Sequence, residues 1–411
     1  MTTRARWVGR EETELLALTR LRCYAPAMNE LASYREQVTQ DLRARDGDFL
    51  LLERNGQAVG TATSLSMMLH ARGGRVPCQA VAWVGTIKTE RRKGNADVRG
   101  IASQVMHATL DRAREREEVV SALMPFRASF YEHFGYGIVE RRSSWTVPIA
   151  LLPSMVPSDA RFFEEADLPA MAECNRRAAM AGQFDIDSGE PGVRTWRRLF
   201  DDGLVYVVQP GEPGDKIVAW MWVQDELRDG RRYARVQQWH ADSHESLLRL
   251  LSLLASLKDQ YGGAIVQLPA DLQLNRLLRE SQLPHRPVDH PAARVESFTR
   301  MQARILDHRR FLESLNVPAR WTGRAVVAIH ECEGHVSKLR LDVEAGRIGV
   351  TPTDASPEIE LTDRAWAAVA SSDLCVDAAW QLGLLSVSQP RALEALRALG
   401  DGPAPWCAEY F

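Results

Sequence analysis

The chain has 411 residues, of which 45% are hydrophobic and 26% charged, and its formal net charge is −3 at pH 7. At about 150 residues per domain, this length predicts two or three domains rather than one core. The composition excludes a largely disordered chain, and the small net charge excludes attraction of nucleic acid or an anionic membrane over the whole surface. Any anion-binding site must therefore be local.

The first residues lack the apolar core of a signal peptide, and no apolar run of about 18 residues could span a bilayer. The six cysteines are scattered without a CxxC motif, which favours reduced thiols over a disulfide framework. We therefore predict a cytoplasmic protein.

The first 150 residues alternate helical and extended patterns. EETELLALTRLRCY has helical spacing, FLLLER and AVGTATSLSMML read as strands joined by the turn NGQ, and CQAVAWVGTIKTE is a third strand. The basic loop RRKGNADVR separates that strand from a helix that begins at Gly100, and VVSALMPF is a further strand. Residues 1–150 are predicted to form a mixed α/β domain with a strand, loop, helix and strand at its centre.

The segment LLPSMVPSD reads as a linker, after which the order of elements repeats. The helix LPAMAECNRRAAM is followed by strands over LVYVVQ, KIVAWMWVQ and RYARVQQWHA, a long helix and the strand AIVQLPA. Residues 151–297 are therefore predicted to be a second copy of the same fold. Its long helix is preceded by Asp242, which would repel a phosphate and which with Glu245 resembles a capping box.

Residues 298–411 are predicted to form an α+β domain. An amphipathic helix over MQARILDHRRFLESLN precedes the strands AVVAI, SKLRLDV and RIGVTP, and helical patterns follow. Between the first two strands, IHECEGH brings His330, Cys332 and His335 close together. We interpret it as a charged hairpin tip, since a structural zinc site normally has four ligands.

The helix that begins at Gly100 is the first candidate for a binding site. A helix start presents unpaired N–H groups and a positive dipole end, which suit a pyrophosphate. A solvated basic loop that caps a helix would have the same composition. Small residues and positive charges surround this helix start: Gly94, Gly100 and Ala102, with Arg91, Arg92, Lys93 and Arg99.

This stretch resembles the acetyl-CoA signature of the GNAT acetyltransferases, R/Q-x-x-G-x-G/A, and FYEHFGYG resembles the segment after the next strand of that superfamily. The layout of the whole chain and its ending in Phe resemble the enhanced intracellular survival (Eis) family. The resemblance implies an α/β and α+β multidomain chain. Its two tandem GNAT-like mixed-sheet domains, the second degenerate, precede a sterol-carrier-like α+β domain.

The signature fits Arg91 to Ala96 without a gap, or Gly100 to Ser103 if the loop holds six additional residues. The length of the apolar stripe of the helix favours the second placement. The resemblance also implies that the backbone at Val84 and Thr86 pairs with the pantetheine arm. The predicted cofactor-binding residues are thus Val84, Thr86, Arg91, Arg92, Arg99, Gly100, Ile101 and Ala102.

The resemblance implies acetyl-CoA as the donor, a small-molecule or peptide amine as the acceptor, and no metal. Tyr131 would protonate the departing thiolate, and the carboxylate of Phe411, at the end of the apolar tail APWCAEYF, would act as the base or orient the amine. It also implies a homo-oligomer, with a hexamer as the assembly, and no nucleic-acid or membrane partner.

Two alternatives stay open. A lipid-binding or carrier protein would work through the third domain if DLCVDAAWQLGLL lined an apolar tunnel. In the second domain, tryptophan faces and aspartates could bind a cationic amine, although core packing is favoured for each tryptophan and a solvated loop for the aspartates. These residues are Trp196, Trp220, Trp222, Asp185 and Asp187.

Overall fold

The computed structural model describes residues 3–25, 27–91, 100–154, 159–187, 200, 203–210, 216–283, 285 and 290–411. We call residues 1–150, 151–297 and 298–411 the first, second and third units. The strands are β1 (Thr3–Val8), β2 (Phe49–Arg54), β3 (Gln57–Ala71), β4 (Gly74–Thr86), β5 (Val120–Leu123), β6 (Gly137–Pro148), β7 (Ala160–Phe162), β8 (Gln183–Asp187), β9 (Leu204–Val208), β10 (Ala219–Arg228), β11 (Arg231–Ala241), β12 (Gly263–Pro269), β13 (Arg294–Ile305), β14 (Gly323–His330), β15 (Val336–Glu344), β16 (Arg347–Pro352), β17 (Ile359–Thr362) and β18 (Leu385–Val387).

The helices of the described residues alternate with these strands. They are α1 (Thr13–Tyr24), α2 (Leu31–Gln40), α3 (Ile101–Glu115), α4 (Ala128–Tyr131), α5 (Leu168–Ala181), α6 (His244–Ser256), α7 (His308–Ser314), α8 (Asp363–Ala370), α9 (Val376–Gln381) and α10 (Leu393–Gly400). Within these residues, every helix is too short or too polar to cross a membrane.

One sheet of 13 strands runs through the first and second units. Its order is β1-β2-β3-β4-β5-β13-β6-β12-β11-β10-β9-β7, with β8 paired to β3. The two units meet where β6 pairs antiparallel with β12. The strands and the central helix predicted for the first unit are confirmed, and the stripe of α3 that covers the sheet is fully buried, as its spacing predicts. That stripe consists of Ile101, Val105, Met106 and Leu110.

The predicted helix over residues 301–316 is wrong in its first half. Residues up to Ile305 belong to β13, which lies between β5 and β6, and only His308–Ser314 is helical. The helix prediction failed because Gln302 and Arg304 have the spacing of a polar helix face, whereas both are buried inside the sheet. Gln302 donates to the carbonyl of Ala128, and Arg304 forms ion pairs. The proposed boundary between residues 297 and 298 falls inside this strand.

The third unit has a five-stranded sheet in the order β16-β15-β14-β17-β18, covered by α8, α9 and α10. The hairpin predicted at IHECEGH is confirmed, since β14 ends at His330 and β15 begins at Val336. Its tip contacts the first unit, where Arg114 of α3 pairs with Glu333 at 2.6 Å. Arg304 of β13 pairs with Glu331 at 3.2 Å and with Glu333 at 2.9 Å. Ligand atoms of Glu331, Glu333 and His335 lie within 4.8 Å of one another.

Candidate active site

Strand β4 extends beyond the end of its neighbour β5. The two strands run parallel, and their last paired residues are Val81 and Leu123, whereas β4 continues to Thr86. Over residues 82–86, the edge of β4 on the β5 side therefore has no partner strand among the described residues. Backbone N–H and C=O groups require hydrogen-bond partners, so this edge is prepared for an extended ligand.

A bulge bends β4 where this open edge begins. Trp83 and Val84 together face the single residue Ala62 of β3, and Trp83 has a φ of 56°. A bulky residue with a positive φ is strained, and such strain is typical of functional sites. The bulge turns Trp83 toward α1 and α2, while Val84 packs on the α3 side of the sheet.

The predicted phosphate-binding helix begins where the sequence places it. Gly100 is the exposed N-cap residue, and no side chain caps the helix. The first helical bond joins the N–H of Gln104 to the carbonyl of Gly100 at 3.1 Å, so the preceding N–H groups have no acceptor within the helix. Ile101 is buried, Ala102 is half-buried, and the first turn has no acidic residue. Arg92 and Arg99 lie outside the described residues.

Arg91 contacts main-chain oxygens. Its Nη2 donates to the carbonyl of Cys23 at 2.8 Å and its Nε donates to that of Thr86 at 3.3 Å. Lys88 donates to the carbonyl of Ala25. Cations near a helix C-terminus stabilise its free carbonyls, so these two side chains fasten the end of α1 to the end of β4. Thr86 is buried, and its Oγ1 has no partner among the described residues.

Tyr131 lies at the end of α4, and 3% of it is exposed. Its ring packs edge-on against Phe126, Phe130 and Tyr136, with centroid distances of 5.6, 5.0 and 6.1 Å. The hydroxyl of Tyr136 is bonded to Ser121 at 2.7 Å, whereas that of Tyr131 makes no hydrogen bond to another described residue. Burial, followed by the influence of Tyr136, raises the pKa of Tyr131, so it is a neutral proton donor.

The chain end leaves the third unit and runs over the other two. Trp406 packs against Trp239 with ring centroids 5.2 Å apart, and the guanidinium of Arg142 lies 3.9 Å from the Trp406 ring centroid. Arg142 also donates to the carbonyl of Cys407, whose N–H donates to Glu140 at 3.1 Å. Residues of β6 and β11 thus hold the start of this segment.

The last residues lie beside the loop after α2. Arg43 pairs with Glu409 at 3.0 Å and donates to the carbonyl of Tyr410 at 2.6 Å, and its other partner is Asp41 at 2.9 Å. Phe411 itself is 8% exposed. The chain end is therefore docked over its last residues.

Contacts connect this chain end to the bulge of β4. Asp41 lies close enough to Arg20 for the guanidinium to contribute to the lowered pKa of its carboxyl; burial opposes the shift and Arg43 is the main cause of it. The guanidinium of Arg20 lies 4.7 Å from the ring centroid of Trp83 and 5.6 Å from that of Phe49. Its Nε and Nη1 are buried without a partner among the described residues.

The amine pocket considered in the second unit is not formed as expected. Trp220 is fully buried, donates to Asn175 at 2.7 Å and stacks on His240, which confirms core packing. Asp185 lies elsewhere, where its Oδ1 accepts from the N–H of Ala408 at 3.0 Å. Trp196 lies outside the described residues.

The predicted capping box at the second long helix is wrong by one residue. Ser243 is the N-cap of α6 and accepts from the N–H of Ser246 at 3.2 Å. Asp242 instead pairs with Arg177 at 3.0 Å, and Glu245 pairs with Arg249 at 2.8 Å. The Ser243 hydroxyl, which is also hydrogen-bonded to that of Ser246 at 2.7 Å, thus caps the helix, while both acidic groups have arginine partners.

Comparison with known proteins identifies a protein family whose match includes this site. The family of acetyltransferase (GNAT) domains matches residues 10–139, which include β4, α3 and Tyr131. The first unit thus contains a GNAT acetyltransferase domain, and the protein is an acyltransferase. A donor of the acyl-CoA class and an acceptor that is a small-molecule or peptide amine follow from this fold.

Relatives extend the similarity to the whole chain. An uncharacterized N-acetyltransferase of Streptomyces avermitilis is 23% identical over 430 aligned positions that cover both chains completely. Another from the same organism is 32% identical over 96 residues, which are 23% of this chain and 22% of that protein.

Solved structures share the fold over the full length. A GCN5-related N-acetyltransferase from Anabaena variabilis has a TM-score of 0.83 at 18% identity, and Eis1 from Mycobacterium abscessus has 0.79 at 20% identity. In both cases the alignment covers 100% of each chain. The chain therefore has the fold of those proteins over its whole length, including its third unit.

Proposed function

We propose that the protein transfers the acetyl group of acetyl-CoA to a primary amine by direct attack. The amine nitrogen bonds to the thioester carbonyl carbon, and the C–S bond breaks. Tyr131 protonates the departing thiolate, and the resulting phenolate then regains a proton from water. The amine loses a proton to the Phe411 carboxylate, directly or through water. Val84 and Thr86 bind the pantetheine arm through their backbone, and Gly100, Ile101 and Ala102 bind the pyrophosphate.

The observation that carries this proposal is the open edge of β4 between Tyr131 and the start of α3. An extended pantetheine arm bound along residues 82–86 would have the unpaired N–H groups of α3 on one side of the sheet. The Tyr131 hydroxyl would lie across the gap between β4 and β5. Arg92 and Arg99 are proposed to add positive charge there. Arg91 is proposed to act near the phosphates while it also fastens α1 to β4.

The docked chain end supports a role of Phe411 in the same site. The contacts from Glu409 through Arg43, Asp41 and Arg20 lead toward Trp83 at the bulge. The carboxylate of Phe411 forms no salt bridge with another described residue, so it is available to an ammonium group. The Eis-like assignment, a cytoplasmic homo-oligomer and the sterol-carrier-like character of the third unit belong to this proposal as well.

Two observations disfavour the lipid-carrier alternative. The chain end leaves the third unit, and the inner faces of α8, α9 and α10 belong to one buried apolar cluster with its sheet. Trp380 and Leu382, in the segment that a tunnel would use, point outward and are exposed.

The decisive experiment is the release of free thiol from acetyl-CoA with a panel of amines. Calorimetric titration should give one acetyl-CoA site per chain, since α3 begins without a side-chain cap at its N-cap residue, whereas α6, the corresponding helix of the second unit, is capped by Ser243. A titration that gives two sites or none contradicts the proposal.

Tyr131→Phe tests the proton donor. It should leave the acetyl-CoA Kd within about twofold and lower kcat by about 100-fold, because it removes a group needed only as the thiolate departs. Tyr136→Phe is the matched control: its hydroxyl is bonded to Ser121 within the core, so we expect altered stability and a kcat close to that of the wild type. An unchanged kcat of Tyr131→Phe would remove this residue from the mechanism.

A further inference from the structure

The turn of α1 that ends at Tyr24 covers the bulge of β4. A methyl group at Gly85 would lie 2.8 Å from the hydroxyl oxygen of Tyr24 and 2.9 Å from both the Cβ and the Sγ of Cys23. The space above Gly85 on this face is thus filled by two side chains of one helical turn. Only glycine permits them to approach the strand this closely.

Interactions on both sides fix this turn. Arg91 and Lys88 hold the carbonyls of Cys23 and Ala25 from the end of β4. The Tyr24 ring packs edge-on against Trp83, with centroids 5.8 Å apart. Although 39% of Tyr24 is exposed, its hydroxyl is held against the backbone of the strand and cannot swing away without breaking these contacts.

The two faces of β4 differ in what a bound thioester would meet. The α3 side, where Val84 packs, leads to the uncapped helix start at Gly100. The other side carries Trp83, Gly85 and the turn of α1. A donor whose phosphates lie at α3 and whose arm follows the open edge therefore ends on the side of Tyr24.

We infer that Tyr24 is the residue that limits the donor to short acyl groups, because its side chain closes the space beyond the thioester carbon at Gly85. This inference rests on the proposed function. Cys23 forms the remainder of the same wall, and Tyr131 lies close enough to Tyr24 for the two phenols to influence each other. Acetyl fits against such a wall, whereas a chain of six carbons would have to displace the ring.

The test compares acetyl-CoA with hexanoyl-CoA as donors in the wild type and in Tyr24→Ala. We expect the wild type to favour acetyl-CoA, both in the calorimetric Kd without acceptor and in kcat/KM. Tyr24→Ala should shift the ratio of each quantity toward hexanoyl-CoA by about tenfold or more. Tyr24→Phe, which removes only the oxygen, should produce a smaller shift in the same direction.

Tyr34→Ala is the matched control. Tyr34 also packs edge-on against Trp83, with centroids 6.1 Å apart, but it makes no close approach to Gly85. An equal shift in Tyr34→Ala overturns the inference, as does an unchanged donor ratio in Tyr24→Ala or a wild type that accepts hexanoyl-CoA as well as acetyl-CoA. A wild type that binds neither thioester overturns the proposed function and this inference together, whereas the other outcomes leave the proposed function intact.

Discussion

Asp185 is a carboxylic acid that the fold removes from water. Burial, with a contribution from Glu140 and Glu409, raises its pKa from 3.8 to about 7, although the N–H of Ala408 opposes the shift. Between these values the folded state binds more protons than the unfolded state, so stability falls as the pH rises from about 4 to about 7. This carboxyl group makes the docking of the chain end sensitive to pH.

Asp185→Asn should remove this sensitivity while it keeps an oxygen that accepts from Ala408 and Ile186. Relative to the wild type, we expect little change in the free energy of unfolding at pH 4.5 and a gain of at least about 1 kcal/mol at pH 8. Thermal unfolding at the two pH values measures it. Asp111→Asn, on the exposed face of α3, is the surface-charge control; the same pH profile in both variants would refute the assignment to Asp185.

For single residues, the sequence predicts which side chains are candidates for a function better than it predicts which atoms surround them. Tyr131 and Gly100 are found from a motif, because their chemistry depends on local spacing. Tyr24 gives no such signal, since its role depends on a distance to Gly85 that only the packing of α1 on β4 creates. Arg142 lies in the charged run ERRSS of β6, and this sequence gives no indication of its contact with Trp406.

Among the elements, α3 has an N-terminus that tolerates a side chain. A methyl group at Gly100 would meet no atom of the described residues within 4 Å apart from its chain neighbours and the backbone of α3, and the φ of this residue is −60°, which any residue adopts. Substitution here therefore changes what the helix start can bind without disturbing the fold.

Gly100→Ala, Gly100→Gln and Gly100→Glu form a graded series. An acidic residue at a helix start stabilises the helix, so the thermal stability of Gly100→Glu should be retained or raised. Its affinity for acetyl-CoA should fall by at least about tenfold relative to Gly100→Gln, because the carboxylate repels the pyrophosphate. Gly100→Ala should bind like the wild type. Equal affinities of the Gln and Glu variants in calorimetry would show that no phosphate lies at this helix.

The elements of the first unit can be predicted from the sequence because their patterns of apolar residues are pronounced, as in α3 and β2. β13 cannot be predicted from the sequence, since both faces of its last five residues are buried and the polar residues among them find partners that lie far away in the chain. Gln302 and Arg304 break the alternation that marks a strand, and their compensating contacts with Ala128, Glu331 and Glu333 exist only in the folded protein.

For the whole molecule, the proposed function makes one catalytic centre depend on all three units, because the docked chain end would supply a carboxylate to it. Deletion of Phe411, or an extension beyond it, should lower kcat by more than about tenfold, since both variants move or remove the carboxylate. The acetyl-CoA Kd should stay unchanged in both variants, whereas the deletion should also lower the melting temperature, because it removes a buried ring. Deletion places a carboxylate about 3.5 Å short along an extended chain, and extension replaces it by an amide.

Trp406→Ala provides a third variant of the chain end, because it removes the ring held between Trp239 and Arg142 while it leaves Phe411 intact. Its kcat should fall with those of the other two. The same extension placed at the amino terminus is the control for bulk. Full activity in the deletion and extension variants would mean that the aromatic ending is a packed segment without a role in the reaction.

The position of β13 has a consequence for biosynthesis. β5 and β6 leave the ribosome early, yet the strand that joins them begins 146 residues after β6 ends, at Arg294 against Pro148. Until then, both strands expose unpaired edges, which are a template for association with other chains. The sheet of the nascent first unit therefore cannot close until nearly three quarters of the polypeptide has been synthesised. Residues 1–150 made alone would keep the gap between β5 and β6 open. The sheet of the first unit is thus completed only by a late, long-range strand pairing.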